Sequence, residues 1–121
     1  MTYILVVDDE PVNRDIIEDI LLMDDYELEM ATDGVQCLEK IKRRKPDLLL
    51  LDIAMPRMNG IDVCKALRKE KETQNLPIIL LSGFASDADI EEGMAAGAND
   101  YLPKPFSPNQ LWAAIAKLNL P

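Results

Sequence analysis

Three short apolar runs divide the chain, and polar side chains follow each of them directly. The runs and the residues after them are Ile4–Val7 before Asp8-Asp9-Glu10, Leu48–Leu51 before Asp52, and Ile78–Leu81 before Ser82-Gly83. No run alternates polar and apolar residues, so each predicts a parallel strand that is buried on both faces. Ligands of open α/β sheets bind outside the carboxyl ends of the strands, so we expect these polar residues at one functional rim.

Two weaker strand patterns accompany the apolar runs. Glu27–Ala31 alternates acidic with apolar residues, which is typical of a strand with one wetter side, and we expect it at an edge of the sheet. Asp100–Pro103 ends in a proline, which cannot donate a backbone hydrogen bond to a neighbour and therefore also requires an edge position. The first strand is predicted over Tyr3–Val7.

The spacing of apolar residues predicts helices between the strands. The first helix begins at Glu10-Pro11-Val12, where proline is tolerated because the N–H groups of a first turn lack helical partners, and it runs to about Asp24. Its predicted buried stripe consists of Val12, Ile16, Ile17, Ile20 and Leu21. The second helix begins at Asp33-Gly34, and its predicted buried stripe consists of Val35, Leu38 and Ile41.

Three more helices are predicted in the second half of the chain. The third begins at Gly60, after a turn-rich loop, and directs Ile61, Cys64 and Leu67 inward. The fourth follows an N-cap at Ser86 and reaches Gly97; it has few large apolar residues, so we expect it to be the least firmly held. The last opens at Ser107-Pro108 and carries Leu111, Ile115 and Leu118 at helical spacing.

The alternation of strands and helices predicts an α/β fold with a doubly wound, five-stranded parallel sheet and five helices on its two faces. The two predicted edge strands, the second and the fifth, are those of the flavodoxin-like order 2-1-3-4-5. The order of the strands reverses between strands 1 and 3 in this topology. Asp8, Asp9 and Asp52 are expected to converge there.

The size and charge of the chain narrow the functional classes. The 121 residues are expected to form a single domain over 1–121, and no apolar run approaches the roughly 20 residues that cross a bilayer. No secretory signal is visible after Met1, so a cytoplasmic location is expected. A net charge of −9 and a pI near 4.4 argue against direct binding of nucleic acid. Cys37 and Cys64 lie on separate predicted helices and are expected in the core.

The expected cluster of three carboxylates indicates a cation site. Like charges in one crevice repel each other, so either a proton is shared or a cation is held. The chain contains no histidine, and oxygen ligands alone favour a hard divalent ion such as Mg²⁺. Lys104, just beyond strand 5, can add a positive charge, and Ser82 can offer a hydroxyl.

At these residues the chain resembles the receiver domain of two-component response regulators. The matching residues are Asp8-Asp9 after strand 1, Asp52 with Met55-Pro56-Arg57-Met58-Asn59-Gly60 after strand 3, Ser82 after strand 4, and Tyr101 with Lys104-Pro105-Phe106 around strand 5. The resemblance extends in order over the whole chain. Each motif alone is a weak signal, but the complete set is very specific.

The resemblance implies that Asp52 accepts a phosphoryl group from the phosphohistidine of a histidine kinase or phosphotransfer protein. Asp9, Asp52 and the backbone carbonyl of Ala54 would bind Mg²⁺ directly, and Asp8 partly through water. Lys104 would pair with the phosphorylated aspartate. Ser82 and Tyr101 would be the switch pair, with the Tyr101 ring turning inward from an exposed position when the partner-binding surface of strand 5 and helices 4 and 5 changes.

The resemblance also implies what surrounds this chemistry. No external substrate is expected, and the partners would be a downstream protein or output domain, with a phosphorylation-dependent homodimer as a further candidate. Ala54 and Phe84 lie at positions that tune the lifetime of the phosphoryl group in the family. Gly83 follows Ser82 where alanine is usual, and serine replaces the commoner threonine. The family suggests a cis bond before Pro105, and Trp112 is expected to pack or to face a partner.

Three other functions fit these residues less well. A haloacid-dehalogenase-like phosphatase needs Asp-x-Asp after its nucleophile strand, and Asp52-Ile53-Ala54 does not supply it. A flavodoxin-type electron carrier needs a glycine- and hydroxyl-rich loop after strand 1, where Asp8-Asp9-Glu10 would repel a phosphate. A phosphorylation-independent scaffold is disfavoured because the acidic and basic groups of the chemistry are all present. The sequence leaves open a stand-alone receiver and a part of a longer regulator or hybrid kinase.

Overall fold

Strands and helices alternate along the whole chain in the computed structural model, which describes residues 1–121. In chain order the elements are β1 (Thr2–Val7), α1 (Pro11–Leu21), β2 (Tyr26–Ala31), α2 (Gly34–Arg43), β3 (Leu48–Asp52), α3 (Gly60–Lys69), β4 (Ile78–Ser82), α4 (Asp87–Ala95), β5 (Asp100–Pro103) and α5 (Pro108–Ala116). The five predicted strands and five predicted helices are confirmed. Helix α1 ends at Leu21, three residues before the predicted end near Asp24.

The five strands form one parallel sheet in the order β2-β1-β3-β4-β5, as predicted. Val7 is paired with Leu51 and Asp52 with Leu81, so each of the three central strands ends within one residue of its neighbour at the same edge. Ser82 is paired with Pro103 at the same edge. The register therefore brings the residues that follow β1, β3, β4 and β5 to one rim.

Each face of the sheet is covered by a separate layer of helices. The larger core cluster packs α2, α3 and the end of α4 against one face, and the smaller one packs α1 and α5 against the other. Leu48, Leu49, Leu50 and Leu51 have no exposed surface. Burying one leucine side chain contributes roughly 1.5–3 kcal/mol, so β3 is a firm support for the Asp52 that ends it.

The buried stripes of α1 and α2 are narrower than predicted. Val12 and Ile16 of α1 are 65% and 48% exposed, whereas Ile17, Ile20 and Leu21 face the sheet. Consecutive helical residues point about 100° apart, so Val12 and Ile16 form a second stripe beside the buried one. In α2, Val35 is 44% exposed because Gly34, Cys37 and Ile41 form the buried side.

Other packing expectations are confirmed. Ile61, Cys64 and Leu67 of α3 are buried, and Cys37 and Cys64 are free thiols in the core. Within α4 the only buried residue is Gly93, which agrees with the thin apolar content of that helix. None of the helices combines the length and the hydropathy that spanning a membrane requires.

The start of α3 fits tightly against the end of β3. The Gly60 N–H donates to the carbonyl of Ile53 at 2.9 Å, which folds the loop back onto the strand. A Cβ at Gly60 would collide with the carbonyl oxygen of Asp52 and lie 2.9 Å from the Cα of Ile53. Glycine at this position therefore permits the close approach of α3 to the residue that carries the central carboxylate.

We expect Gly60→Ala to lower the free energy of unfolding by about 1–3 kcal/mol, because backbone atoms rather than a flexible side chain oppose the added methyl group. Gly83→Ala is the matched control, since a Cβ there would meet nothing within 4 Å. Urea unfolding followed by circular dichroism measures both variants. Equal stability of the two variants would contradict this account of the β3–α3 junction.

Candidate functional site

Three carboxylates meet at the rim between β1 and β3. One oxygen from each of Asp8, Asp9 and Asp52 can be chosen so that all three lie within 4.8 Å of one another. Asp8 has no exposed surface and Asp52 is 5% exposed, whereas Asp9 is the least buried of the three. The predicted convergence at the reversal of strand order is thus present.

Lys104 joins two of these carboxylates from the far side. Its Nζ donates to Oδ2 of Asp8 at 3.0 Å and to Oδ1 of Asp52 at 3.1 Å. The backbone N–H of Lys104 donates to the carbonyl of Ser82 at 2.8 Å, which ties the loop after β5 to the end of β4. The peptide bond between Lys104 and Pro105 is cis, as the resemblance suggested.

Burial and charge shift the pKa values of this group in definite directions. Burial raises the pKa of Asp52, the charge of Lys104 lowers it, and the neighbouring aspartates raise it again, to a net value of about 6. Burial lowers the pKa of Lys104, but its hydrogen bonds and ion pairs with the two carboxylates raise it by more. The lysine therefore stays charged while Asp52 ionises less readily than an exposed aspartate.

The first turn of α1 fixes Asp8 by contacts that the sequence interpretation missed. Oδ1 of Asp8 accepts from the Glu10 N–H at 3.0 Å and from Nδ2 of Asn13 at 3.4 Å. Nη1 of Arg14 donates to the backbone carbonyl of Asp8 at 2.6 Å. A signal for these roles was present, because the helix predicted to start at Pro11 places Asn13 and Arg14 on the turn next to the acidic pair.

Two oxygen atoms at the site remain open to a ligand. Oδ2 of Asp52 accepts no hydrogen bond within the protein, and it is not a buried unpaired atom, so it reaches solvent. The carbonyl of Ala54 accepts no protein hydrogen bond, because the neighbouring turn bonds use the Ile53 carbonyl instead. The Ala54 carbonyl, a predicted Mg²⁺ ligand, is thus free to bind a cation, and the Asp52 carboxylate keeps one oxygen without a protein partner.

The donor set suits a hard divalent cation. It consists of carboxylate and carbonyl oxygens, and the chain has no histidine. The two cysteines are buried in the core cluster on the α2–α3–α4 face, with Cys64 directed to the end of α4. Oxygen ligands with several negative charges favour Mg²⁺ or Ca²⁺ over zinc and copper.

Ser82 and Tyr101 both contact the backbone of Phe84. The Ser82 hydroxyl oxygen accepts from the Phe84 N–H at 3.0 Å, and the Tyr101 hydroxyl donates to the Phe84 carbonyl. The expected exposed position of the Tyr101 ring is wrong for this structure, in which Tyr101 is 7% exposed. The ring lies in the space left by Gly93, where a Cβ would come within 2.7 Å of the ring atom Cδ2.

Trp112 and Phe84 lie in different surroundings. Trp112 packs against the smaller core cluster, and its Nε1 is buried without a hydrogen-bond partner, so its packing role is confirmed. The Phe84 side chain is 67% exposed, and only its backbone takes part in the contacts with Ser82 and Tyr101.

Known proteins share this sequence and geometry. The sequence profile of the response regulator receiver domain matches residues 4–116. The response regulator MprA of Mycobacterium leprae is 43% identical over 115 residues, which are 95% of this chain and 50% of that relative. The chain thus spans about half the length of the curated relatives it matches.

Solved structures agree with the sequence relatives. The chemotaxis protein CheY4 of Vibrio cholerae superposes with a TM-score of 0.91 at 33% identity, over 98% of each chain. The receiver domain of the sensor histidine kinase PA1611 from Pseudomonas aeruginosa superposes with a TM-score of 0.89 at 32% identity, over 97% of this chain and 96% of that one. The latter structure has a magnesium ion coordinated in its active-site cleft.

The raised pKa of Asp52 predicts a stability effect of its charge. Because the folded-state pKa of about 6 exceeds the ordinary value of about 4, the contribution of Asp52 to stability is present below pH 4 and lost as the pH rises through 6. In EDTA at pH 8, Asp52→Asn should therefore be more stable than the wild type by about 1–3 kcal/mol. The gain should fall toward zero near pH 4.

Urea unfolding in EDTA between pH 4 and pH 8 measures this difference. Asp19→Asn is the matched control, because Asp19 is exposed on α1 and has no ion pair within the protein. It should show no gain that grows with pH. A destabilised Asp52→Asn protein at pH 8 would mean that the ionised carboxylate is held favourably, against the electrostatics described above.

Proposed function

The chain belongs to the receiver domain family of response regulators, and from that membership we propose that it accepts a phosphoryl group on Asp52 from the phosphohistidine of a histidine kinase or phosphotransfer protein. Receiver domains are modules of two-component signalling rather than metabolic enzymes. The observation that carries the choice of Asp52 is its central place between Asp8 and Lys104, with one carboxylate oxygen open to solvent.

The transfer requires a nucleophilic oxygen with a free approach. Oδ2 of Asp52 meets that requirement, whereas Oδ1 is held by Lys104. The carboxylate oxygen forms a bond to phosphorus as the bond between phosphorus and the imidazole nitrogen breaks, and the imidazole keeps the electron pair of that bond. A pKa of about 6 leaves Asp52 ionised, and so nucleophilic, above neutral pH.

Mg²⁺ is the proposed cofactor, as it is for receiver domains in general. Asp9, Asp52 and the Ala54 carbonyl would bind the ion directly, and Asp8, already bonded to Lys104, would act partly through water. When bound, the ion neutralises charge between the carboxylates and the incoming phosphoryl group. The free Ala54 carbonyl and the magnesium in the PA1611 receiver support this assignment.

Lys104 has a proposed role before and after transfer. Before transfer, its ammonium group compensates the charge of Asp8 and Asp52 and holds Oδ1 away from the donor. After transfer, the phosphoryl oxygens offer stronger acceptors than the original carboxylate, so the lysine can shift its hydrogen bond to them. The side chain stays mostly buried at 21% exposure, which limits screening by solvent.

The proposed switch pair is Ser82 and Tyr101. A phosphoryl group on Asp52 adds oxygens that can attract the Ser82 hydroxyl and so change its contact with the Phe84 N–H. Tyr101 holds the other side of the same residue and lies against α4. We infer that the affected surface, formed by α4, β5 and α5, binds a downstream protein, an output domain or a second phosphorylated copy.

Incubation with acetyl phosphate and Mg²⁺ should add one phosphoryl group, visible by intact-protein mass spectrometry. The adduct should be absent from Asp52→Asn, because Asp52 alone combines a central position with an open oxygen. Asp62→Asn, which changes an exposed aspartate at the start of α3, is the matched control and should label like the wild type. Equal labelling of Asp52→Asn and the wild type would refute the assignment.

Asp9→Ala should weaken Mg²⁺ binding at least about tenfold while the protein remains folded, because removing one of several repelling carboxylates costs the fold little. Isothermal titration calorimetry at pH 7.5 measures the affinity, which should also fall with decreasing pH as the ligands are protonated. Glu10→Ala removes the adjacent exposed carboxylate and serves as the control. Unfolding of Asp9→Ala would instead assign the acidic pair a structural role.

A further inference from the structure

Positive charge is concentrated in one part of this acidic chain. Ten of the 13 lysine and arginine residues lie between residues 40 and 71, a segment with four acidic residues and therefore a net charge of +6. The rest of the chain has three basic and 18 acidic residues, so it carries −15 within the total of −9. Separated charges of this kind are a basis for recognising an oppositely charged surface.

The basic segment borders a groove between α2 and α3. The groove has a volume of about 800 Å³, and Leu38, Ile41, Ala66 and Leu67 are its apolar lining. Residues 42–45, which read Lys-Arg-Arg-Lys and are all exposed, line it as well, together with two glutamates at the end of α3. An apolar floor with charged borders is typical of a groove that accepts an amphipathic helix.

Two of the four basic residues at the groove are already engaged within the protein. Arg44 donates to both carboxylate oxygens of Glu27, and Nζ of Lys45 donates to a backbone carbonyl in the turn after α3 at 3.3 Å. Lys42 and Arg43 form no ion pair and no side-chain hydrogen bond. These two residues are therefore the charges available to the carboxylates of an occupant.

Helix α1 presents the complementary surface. Its second stripe, Val12 and Ile16, is exposed, and Met23 continues this stripe in the turn after the helix. Asp15 and Asp19 lie beside the stripe at helical spacing, are exposed and form no ion pair. The side of α1 that faces away from the sheet is therefore both apolar and acidic, as an occupant of the groove must be.

We propose that the groove between α2 and α3 binds the exposed side of α1 of a second copy of this chain. The stripe of α1 lies on the groove floor, and its two aspartates face the two free basic residues. Because the two surfaces differ, each copy uses its groove for one neighbour and its α1 for another, a head-to-tail contact that can extend into an open chain of copies. The contact needs no phosphoryl group and so goes beyond the proposed function.

The charge distribution favours a protein helix over nucleic acid as the occupant. A polyanion longer than the groove would meet the acidic remainder of the chain, with its net charge of −15. The groove also has no aromatic side chain on which a base could stack. A short acidic helix with an apolar stripe of its own avoids both disadvantages, and α1 has these properties.

Self-association of the unphosphorylated protein is the first test. Sedimentation velocity up to about 1 mM protein covers contacts with dissociation constants in the millimolar range. At physiological ionic strength, the general repulsion between two acidic copies is screened beyond about 8 Å, so the local contact decides the outcome. The average sedimentation coefficient should rise with concentration, and a protein that stays monomeric throughout would overturn the proposal.

Methyl NMR locates the contact through shifts that depend on concentration. The methyl groups of Val12 and Ile16 on α1 and those of Leu38 and Ala66 in the groove should shift together, whereas the exposed Ala88 on α4 should not. Shifts confined to α1 would indicate a symmetric contact between two α1 helices. Shifts confined to α4 and α5 would place the contact on another face, and either result would overturn the proposal.

Charge reversal on each surface gives two variants that should be monomeric alone and associate when mixed. Asp15→Lys with Asp19→Lys makes α1 basic, and Lys42→Glu with Arg43→Glu makes the groove acidic. Like charges then meet within each variant, so self-association should weaken at least about tenfold. In the equimolar mixture the basic α1 meets the acidic groove, and the affinity should return to within about fivefold of the wild type.

The control separates a local contact from an effect of net charge. The α1 variant changes the net charge from −9 to −5, which by itself would favour association. Glu91→Lys with Glu92→Lys makes the same change on exposed residues of α4 and should associate at least as well as the wild type. A mixture that stays monomeric although both variants are folded by circular dichroism would overturn the groove as the binding surface.

A short single-stranded RNA tests the alternative occupant. It should not bind to the wild type, because the chain outside the groove repels it. RNA that binds to the wild type but not to the variant with Lys42→Glu and Arg43→Glu, while the protein alone stays monomeric, would assign the groove to a polyanion and overturn the contact with a second copy.

Discussion

Repulsion among three carboxylates at the rim of the sheet is the constraint on which the rest of the structure depends. Like charges repel, so the three carboxylates stay together only because rigid strands hold their backbones: Asp8 and Asp9 follow β1, and Asp52 is the last residue of β3. Lys104 compensates two of the charges and bridges the sheet from its β5 edge. The group remains more negative than positive, and this imbalance supports the proposed binding of a cation and then of a phosphoryl group at the rim.

The sheet can hold such a cluster because its centre is unusually apolar. Raising the pKa of Asp52 to about 6 corresponds to a cost of about 3 kcal/mol for its ionised form. One or two fully buried leucines offset a cost of that size, and β3 alone contains four. The electrostatic cost of the site is therefore confined to the ends of the strands. The buried apolar residues in the middle of the same strands offset it.

The sequence predicts the parts of this structure that depend on local pattern. The leucine run, the alternation of elements and the edge strands led to the observed strand order, because buried parallel strands have few alternative arrangements. The acidic cluster and Lys104 were predicted because strand ends of one sheet must meet at one rim. These inferences needed only the chain direction and the hydrophobic period.

The sequence does not predict which of several suitable side chains is buried, or which residues from distant elements come into contact. Val12 and Ile16 satisfy a helical stripe as well as Ile17 does, and only the approach angle of α1 on the sheet decides which of them is buried. The inward ring of Tyr101 depends on the missing Cβ of Gly93, eight residues away in the chain. The bonds of Arg68 to Gly97 and Asn99 join elements whose relative placement no local pattern contains.

The contacts of Phe84 have a consequence for how such a domain can change over generations. Ser82 and Tyr101 hold its peptide groups, while its side chain is 67% exposed to solvent. Any residue has the same N–H and carbonyl, proline excepted, so the connection between these two hydroxyls does not depend on which side chain occupies position 84. If the proposed function holds, selection can therefore change the side chain at position 84 without breaking the hydrogen bonds that connect Ser82 and Tyr101.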